Sequence, residues 1–446
     1  MRWPESVFLG TLVLLVKCIC FSTADQVESL SLSERALIQD DGSQQFVSIE
    51  ARDKSSSDIS SASYSSEEGC SKKFICYFTS WATYRPGGWS YTVETMDVSL
   101  CTHYVYAFAV LDNSTYRAVP ADPDLDIQKN YFKKFCTKVK AAGAIPMLGV
   151  GGWTNSGGQA WEELLKDSKK QDQFIASIIQ MFKKYGFMGV ELDYEYPGCP
   201  QGTCMDPKSK ERFRGMVKRM YTAFGDTTWI ISIAIPADSQ RINYSYDLIG
   251  LQQYADWFSV MGYEYFSVNS GVTYLHAPLV PQPNASNKLN VEYTIQYLLT
   301  TGVHPQAIVL GMPLYGKGYT LTNPNHHTVN SPAVGPSQPG TVTQSNGTMA
   351  FFEICMNRKG GWKMETRYKG KYYGRWIYNN NQWVGYDGIP ELRKKVRLIQ
   401  NKNLGGGMIW ALDLDDFRDK CGRGKSPLTN FLSAQLLGES SENCIN

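Results

Sequence analysis

Eight short β-branched or aromatic runs, separated by longer amphipathic stretches, restrict the fold of this chain more than any other feature. The runs begin near Phe74, His103, Ile145, Met188, Trp229, Trp257, Ala307 and Gly406, and residues 161–184 and 209–224 carry helical patterning between them. Apolar strands alternating with helices in this way call for a parallel α/β fold. The gap between the seventh and eighth runs is too long for one helix. Residues 318–384 hold turn residues and short aromatic runs such as Tyr372-Tyr373 and Trp376-Ile377-Tyr378. They read as an inserted α+β subdomain.

The first residues stand outside this pattern. Met1-Arg2 is followed by an apolar run from Val7 to about Phe21, which Ser22-Thr23-Ala24 closes. A basic start, a short apolar core and a small-residue exit describe a secretory signal peptide over 1–24. A retained membrane anchor is the weaker reading, because the stretch reaches only about twenty residues and nothing comparable follows. The chain is therefore expected to be secreted, extracellular and free of membrane after cleavage. Residues 25–71 are Ser-rich and poor in aromatics, and read as a flexible arm. The packed domain is expected over 72–432, followed by a polar tail, 433–446, too short for a separate carbohydrate-binding module.

Cysteine usage fits export. Cys18 and Cys20 lie in the leader, which leaves nine of the 11 cysteines. An oxidising compartment makes disulfides the default, and an odd count leaves one thiol free or paired between chains. The loop from Cys199 to Cys204 is short enough to close on itself. A metal clip competes with that reading, but no His or second Cys pair lies nearby. Asn113, Asn243, Asn284 and Asn346 each begin an N-glycosylation sequon. A net charge of +2 gives no pull toward nucleic acid or an anionic membrane. The 27 Tyr and 11 Trp suit sugar rings, although composition alone favours a large aromatic core.

The most informative segment is Met188-Gly189-Val190-Glu191-Leu192-Asp193-Tyr194-Glu195-Tyr196-Pro197. Strand side chains alternate, so Glu191, Asp193 and Glu195 share one face, with about 6–7 Å between successive Cα atoms of the set. Crowded acids cannot all stay ionised, so at least one is expected to hold its proton above the usual range, as a general acid needs. An exposed acidic edge strand is the competing reading. The flanking apolar residues and Pro197 weigh against it.

At this point the chain resembles the family 18 chitinases and chitinase-like lectins, whose fourth strand carries Asp-x-x-Asp-x-Asp-x-Glu. Phe74–Trp81 with Tyr84-Arg85 is similar to the first strand of that family, Leu100–Ala109 to the second and Gly149–Trp153 to the third. Met261–Glu264 is similar to the sixth strand end, Gly311–Gly316 to the seventh and Gly405–Phe417 to the eighth. The resemblance runs in the family's order from about Lys73 to Phe431. It implies a (β/α)8 TIM barrel with the α+β insertion between strands seven and eight. It also implies disulfides Cys76–Cys101 and Cys355–Cys421, leaving Cys70, Cys136 and Cys444 unassigned beside the proposed Cys199–Cys204 pair.

The resemblance implies chemistry as well. Glu195 would act as acid and then base, Asp193 would hold the substrate acetamide, Glu191 would share a proton behind it, and Tyr263 would align the acetamide oxygen. Trp410 would floor the −1 sugar, with Trp81, Trp153 and Tyr315 as walls and Tyr77, Met261 and Glu264 also against substrate. Several positions depart from the family. Met188 and Glu191 stand for two Asp, Tyr194 for Trp, Glu264 for Asp, Gly149 for Ser, and Lys317 where Arg is frequent. The expected function is a secreted, endo-acting chitinase cleaving β-1,4-N-acetylglucosamine linkages in chitin or chito-oligosaccharides by substrate-assisted retaining catalysis. A chitin-binding lectin with little or no hydrolysis is the alternative, and a secreted scaffold using the barrel only as a platform is a third. No phosphate loop or dinucleotide fingerprint occurs, so no cofactor is expected. His326-His327 reads as a solvated loop, Asp413, Asp415 and Asp416 as structural hydrogen-bonding groups, and no metal is expected. A monomer is the expected state.

Overall fold

The computed structural model describes residues 36–40, 43–47, 72–369 and 372–438. The leader, most of the Ser-rich segment, Cys70 and Cys444 lie outside the described residues. Within that segment, Ala36–Asp40 and Ser43–Val47 form an antiparallel pair, a unit of its own in which Ala36 faces Val47.

The apolar runs become the barrel. Its eight parallel strands are Lys73–Thr79, His103–Leu111, Ile145–Gly151, Gly189–Asp193, Ile230–Ile235, Trp257–Val260, Ile308–Pro313 and Gly406–Trp410. Each pairs with its neighbours, and the first closes the circle against both the eighth and the second. Nearly every strand residue is buried, because helices cover the outside and side chains fill the inside. The helix Ser168–Tyr185 shows how the shell is encoded. Phe174, Ile175, Ile178, Met181 and Phe182 recur at helical spacing and are buried. Asp167 starts the helix by accepting the N–H groups of Lys169 and Lys170, and Gly186, at φ 96°, ends it in the left-handed conformation.

The insertion is a six-stranded antiparallel sheet that runs from Tyr315–Leu321 to Gln382–Tyr386, with the helix Phe351–Lys359 between its strands. It starts two residues after the seventh barrel strand ends, slightly earlier than its turn residues suggested. Tyr319, Leu321, Trp376 and Trp383 help build its separate core. The last helix, Pro427–Leu437, buries Leu428, Leu432 and Leu436. Among the described residues there are three disulfides, Cys76–Cys101, Cys199–Cys204 and Cys355–Cys421, and Cys136 is buried with its thiol free. Among the described residues no helix is long and apolar enough to cross a membrane.

Candidate active site

The C-terminal ends of the barrel strands surround a cleft of about 1200 Å³, the end where enzymes of this architecture place their chemistry. Asp193 and Glu195 both line it, whereas Glu191 lies beneath, fully buried. Register explains Glu191's surroundings. It sits between Gly149 of the third strand and Ser232 of the fifth, and the Ser232 hydroxyl donates to its Oε2. Burial pushes the Glu191 carboxyl up to about 7, held back by the hydroxyls of Ser232, Ser259 and Tyr77. Asp193 is raised well above the usual carboxylate range, first by burial and then by the charges of Glu195 and Glu191. Burial also raises Glu195, with Glu264 adding to the effect, while Tyr196 and Arg241 oppose it. A low-dielectric interior cannot hold three adjacent carboxylates ionised, so the strand retains protons where isolated acids would lose them. Asp193 Oδ1 is buried and has no hydrogen-bond partner among the described residues.

The backbone that carries Glu195 is fixed from several sides. Its N–H donates to Ser156 Oγ at 2.8 Å, and that hydroxyl donates to the Gly152 carbonyl at 2.9 Å. Its carbonyl accepts the N–H of Gln201 at 2.7 Å. Next to it, the Tyr194 hydroxyl donates to buried Glu162 at 2.6 Å. Glu162 also accepts the Gly198 N–H at 2.8 Å and the Ser209 hydroxyl, tying the loop after the fourth strand to two helices. Non-prolyl cis peptides fall at Ala107–Phe108, Glu195–Tyr196 and Trp410–Ala411, all at the cleft end of barrel strands.

One wall is aromatic. Trp410 lies 5.2 Å from Tyr77 and 5.8 Å from Phe108 between ring centroids, and Trp81 lies 6.1 Å from both Trp410 and Phe108. Trp81 and Trp153 remain about half exposed, at 47% and 50%, so each presents a free face to the cleft. Opposite them, Met261 and Tyr263 follow the sixth strand. Burial raises the Tyr263 hydroxyl well above its usual range, reinforced by Asp193 and Glu195, which keeps it a neutral donor. Glu264, at φ 57°, accepts the Tyr315 hydroxyl at 2.8 Å and pairs with Lys317 at 3.0 Å.

The structure thus gathers Asp193, Glu195, Tyr263, Trp410, Trp81, Trp153, Tyr77, Met261, Glu264 and Tyr315 around one cleft, with Glu191 directly below. The departures from the family pattern also acquire positions. A Cβ on Gly149 would sit 2.8 Å from Phe108 Cδ1 and 3.0 Å from the Tyr106 carbonyl, so the Phe108 ring occupies the space a serine would need. Met188 precedes the fourth strand, about 16 Å along the chain from Asp193, and does not line the cleft. Glu162, Ser156, Phe108 and Arg241 were not found from the sequence. Their partners lie far along the chain, and no local spacing marks them.

The remaining polar signals are structural. Asp413 is paired with Arg85, Asp415 accepts the N–H and hydroxyl of Thr429, and Asp416 accepts the N–H groups of Lys420 and Cys421. His327 stacks on Tyr378 at 3.8 Å and faces Glu365 at 3.2 Å. Among the described residues no group of three or more His, Cys, Asp or Glu side chains is placed to hold a metal.

Residues 73–415 match the family described as glycosyl hydrolases family 18, and the chain belongs to that family. It is similar to "Probable chitinase 10" of Drosophila melanogaster, 37% identical over 382 residues, which are 84% of this chain but only 17% of that relative's length. In structure it is similar to catalytic domain 2 of the Ostrinia furnacalis Group II chitinase, with a TM-score of 0.80, 33% identity, and coverage of 83% of this chain and 97% of that one. A mutant of the Ostrinia domain has been solved in complex with penta-N-acetylchitooctaose (NAG)5. It is also similar to human YKL-39, a pseudo-chitinase with retained chitooligosaccharide binding properties, with a TM-score of 0.73, 28% identity, and coverage of 82% of this chain and 99% of that one.

Proposed function

We propose that the chain is a secreted, endo-acting chitinase that cleaves β-1,4-N-acetylglucosamine linkages with retention, using the substrate's own acetamide as nucleophile. Asp193 carries this reading. It lines the cleft beside Glu195 and keeps a buried oxygen, Oδ1, with no partner among the described residues, an acceptor suited to an acetamide N–H. In this account Tyr263 donates to the acetamide oxygen and aims it at the anomeric carbon. Glu195 gives its proton to the glycosidic oxygen as that bond breaks, and the acetamide oxygen closes an oxazolinium ring. As positive charge develops, the proton held by Asp193 passes to an ionised Glu191 below, and the Asp193 carboxylate so formed stabilises the ring. Glu195, now a carboxylate, takes a proton from water, whose oxygen opens the ring and restores the acetamide. Trp410 floors the sugar, and Trp81, Trp153 and Tyr315 hold neighbouring rings. Export is supported by the leader pattern and the three disulfides. The sequon residues Asn113, Asn243, Asn284 and Asn346 are all exposed, as glycan attachment requires.

Proton NMR of the first product from chitotetraose tests the mechanism. Retention predicts that the β-anomer appears first and then mutarotates, and initial α-anomer would overturn it. The lectin reading draws on Gly149 and Glu191, which change the support beneath the acids, and on the likeness to a pseudo-chitinase. It keeps the same ligands and the same aromatic wall, without turnover.

A further inference from the structure

A second cavity, of about 480 Å³, shares no lining residue with the cleft. It lies between the chain that follows the first barrel strand and the loop that follows the eighth. Arg418, Lys420 and Lys425 line it together with the hydroxyl-bearing Ser90, Thr95 and Ser426. Arg423 is exposed on the same loop, and the Lys359 ammonium joins it by donating to the Lys420 carbonyl at 2.6 Å. None of Arg418, Lys420, Arg423 and Lys425 forms an ion pair with a described residue.

Two carboxylates share the site, Asp97 in the cavity lining and the exposed Asp419 on the loop, and each is engaged through Oδ1 within its own turn. Asp419 accepts the N–H groups of Arg423 and Gly424 at 2.8 and 2.9 Å. Asp416 is buried on the N–H groups of Lys420 and Cys421, and Asp97 accepts the N–H and hydroxyl of Ser99. The loop is held in place, since Cys421 is bonded to Cys355 and Arg418 lies over the rings of Trp89 and Phe417. On a chain whose net charge is only +2, this is a local and preorganised concentration of positive charge.

We propose that this cavity and its loop bind a sulfated polysaccharide, separately from the neutral sugar polymer assigned to the cleft. Cations spread from Lys359 to Lys425 exceed what one isolated anion needs, and match anions repeated along a polymer. The cavity is too small for a nucleic-acid duplex, and none of its residues is an exposed large apolar side chain able to enter a bilayer. The choice of a polysaccharide rests on the export reading and is independent of turnover in the cleft.

Retention of the full chain on immobilised heparin, followed by titration with a heparin octasaccharide, tests the proposal. The parent is expected to bind at about 0.15 M salt. The triple variant Lys420→Ser, Arg423→Ser, Lys425→Ser should bind about 10- to 100-fold more weakly, with the slope of log K against log salt reduced by about 2–3. Its thermal melt and its affinity for chito-oligosaccharides should match the parent, which separates lost contacts from lost folding. Removing the same charge elsewhere, with Lys133→Ser, Lys140→Ser and Lys169→Ser, should leave heparin binding within about twofold. No binding by the parent, equal binding by the loop variant, an equal loss in the control variant, or duplex DNA binding as tightly as heparin would each overturn it.

Discussion

Glu191 is wholly buried on the fourth strand, and its carboxyl is lifted from 4.5 to about 7 chiefly by that burial. The folded protein therefore holds a proton on this side chain that the unfolded chain releases at lower pH. Between about pH 4.5 and 7 the native state binds more protons than the unfolded state, so stability falls as pH rises across that window. The contribution is complete below the unfolded value and lost above the folded one. At about 1.4 kcal/mol per pH unit, the gap between 4.5 and about 7 corresponds to about 3–4 kcal/mol. Glu191→Gln keeps the shape and can still accept the Ser232 hydroxyl, yet cannot ionise. With about 2 cal/mol/K of unfolding entropy per residue over roughly 360 residues, 3–4 kcal/mol shifts the melting temperature by roughly 4–5 °C. Calorimetry from pH 4 to 8 should show the variant near the parent at the acid end and above it by up to that amount at the alkaline end. Asp193 and Glu195 leave some pH dependence in both proteins, and because the Glu191 charge also raises Asp193, the difference between the two curves reads Glu191 together with its effect on that neighbour. Parallel curves throughout would refute the reasoning.

Two further substitutions probe the cleft and its support. The charge of Glu264 adds to the elevation of Glu195, and Lys317 pairs with it at 3.0 Å. A general acid works while protonated, so the rate should fall as pH rises through the Glu195 value, and Glu264→Gln should move that alkaline limb to lower pH. An unmoved or higher limb in the pH–rate profile would contradict this. Gly149→Ser restores the family residue but drives its Cβ to 2.8 Å from the Phe108 ring, so thermal melts should show a loss of about 1–3 kcal/mol. An unchanged melt would mean that Phe108 moves aside freely.

The barrel was legible because its strands are buried on both faces and stand in the sequence as continuous apolar runs. The residue at which each run was expected to begin lies within one position of its observed start. The acids were legible for the same reason, since alternation puts Glu191 and Asp193 on one face of the fourth strand and carries Glu195 just beyond its last residue. Their support was not. Glu162 comes from a helix and meets Tyr194 only through folding, and Ser156 reaches Glu195 from the loop after the third strand. At Gly149, where the resemblance expects Ser, the space is filled by the Phe108 ring. Such pairings join residues tens of positions apart, where neither spacing nor patterning leaves a trace. The basic loop at 418–425 was overlooked because nearly balanced charge over the whole chain hides a local excess.

The central claim is that Glu195 performs acid–base catalysis on N-acetylglucosamine linkages. Release of product from a fluorogenic chitotriose glycoside, by the parent and by Glu195→Gln across a range of pH, tests it most directly. The account predicts turnover by the parent and a loss of about 10²–10⁴-fold in the variant. Equal background rates from both proteins, with chito-oligosaccharides still bound, would contradict it and leave a lectin built on a silent site.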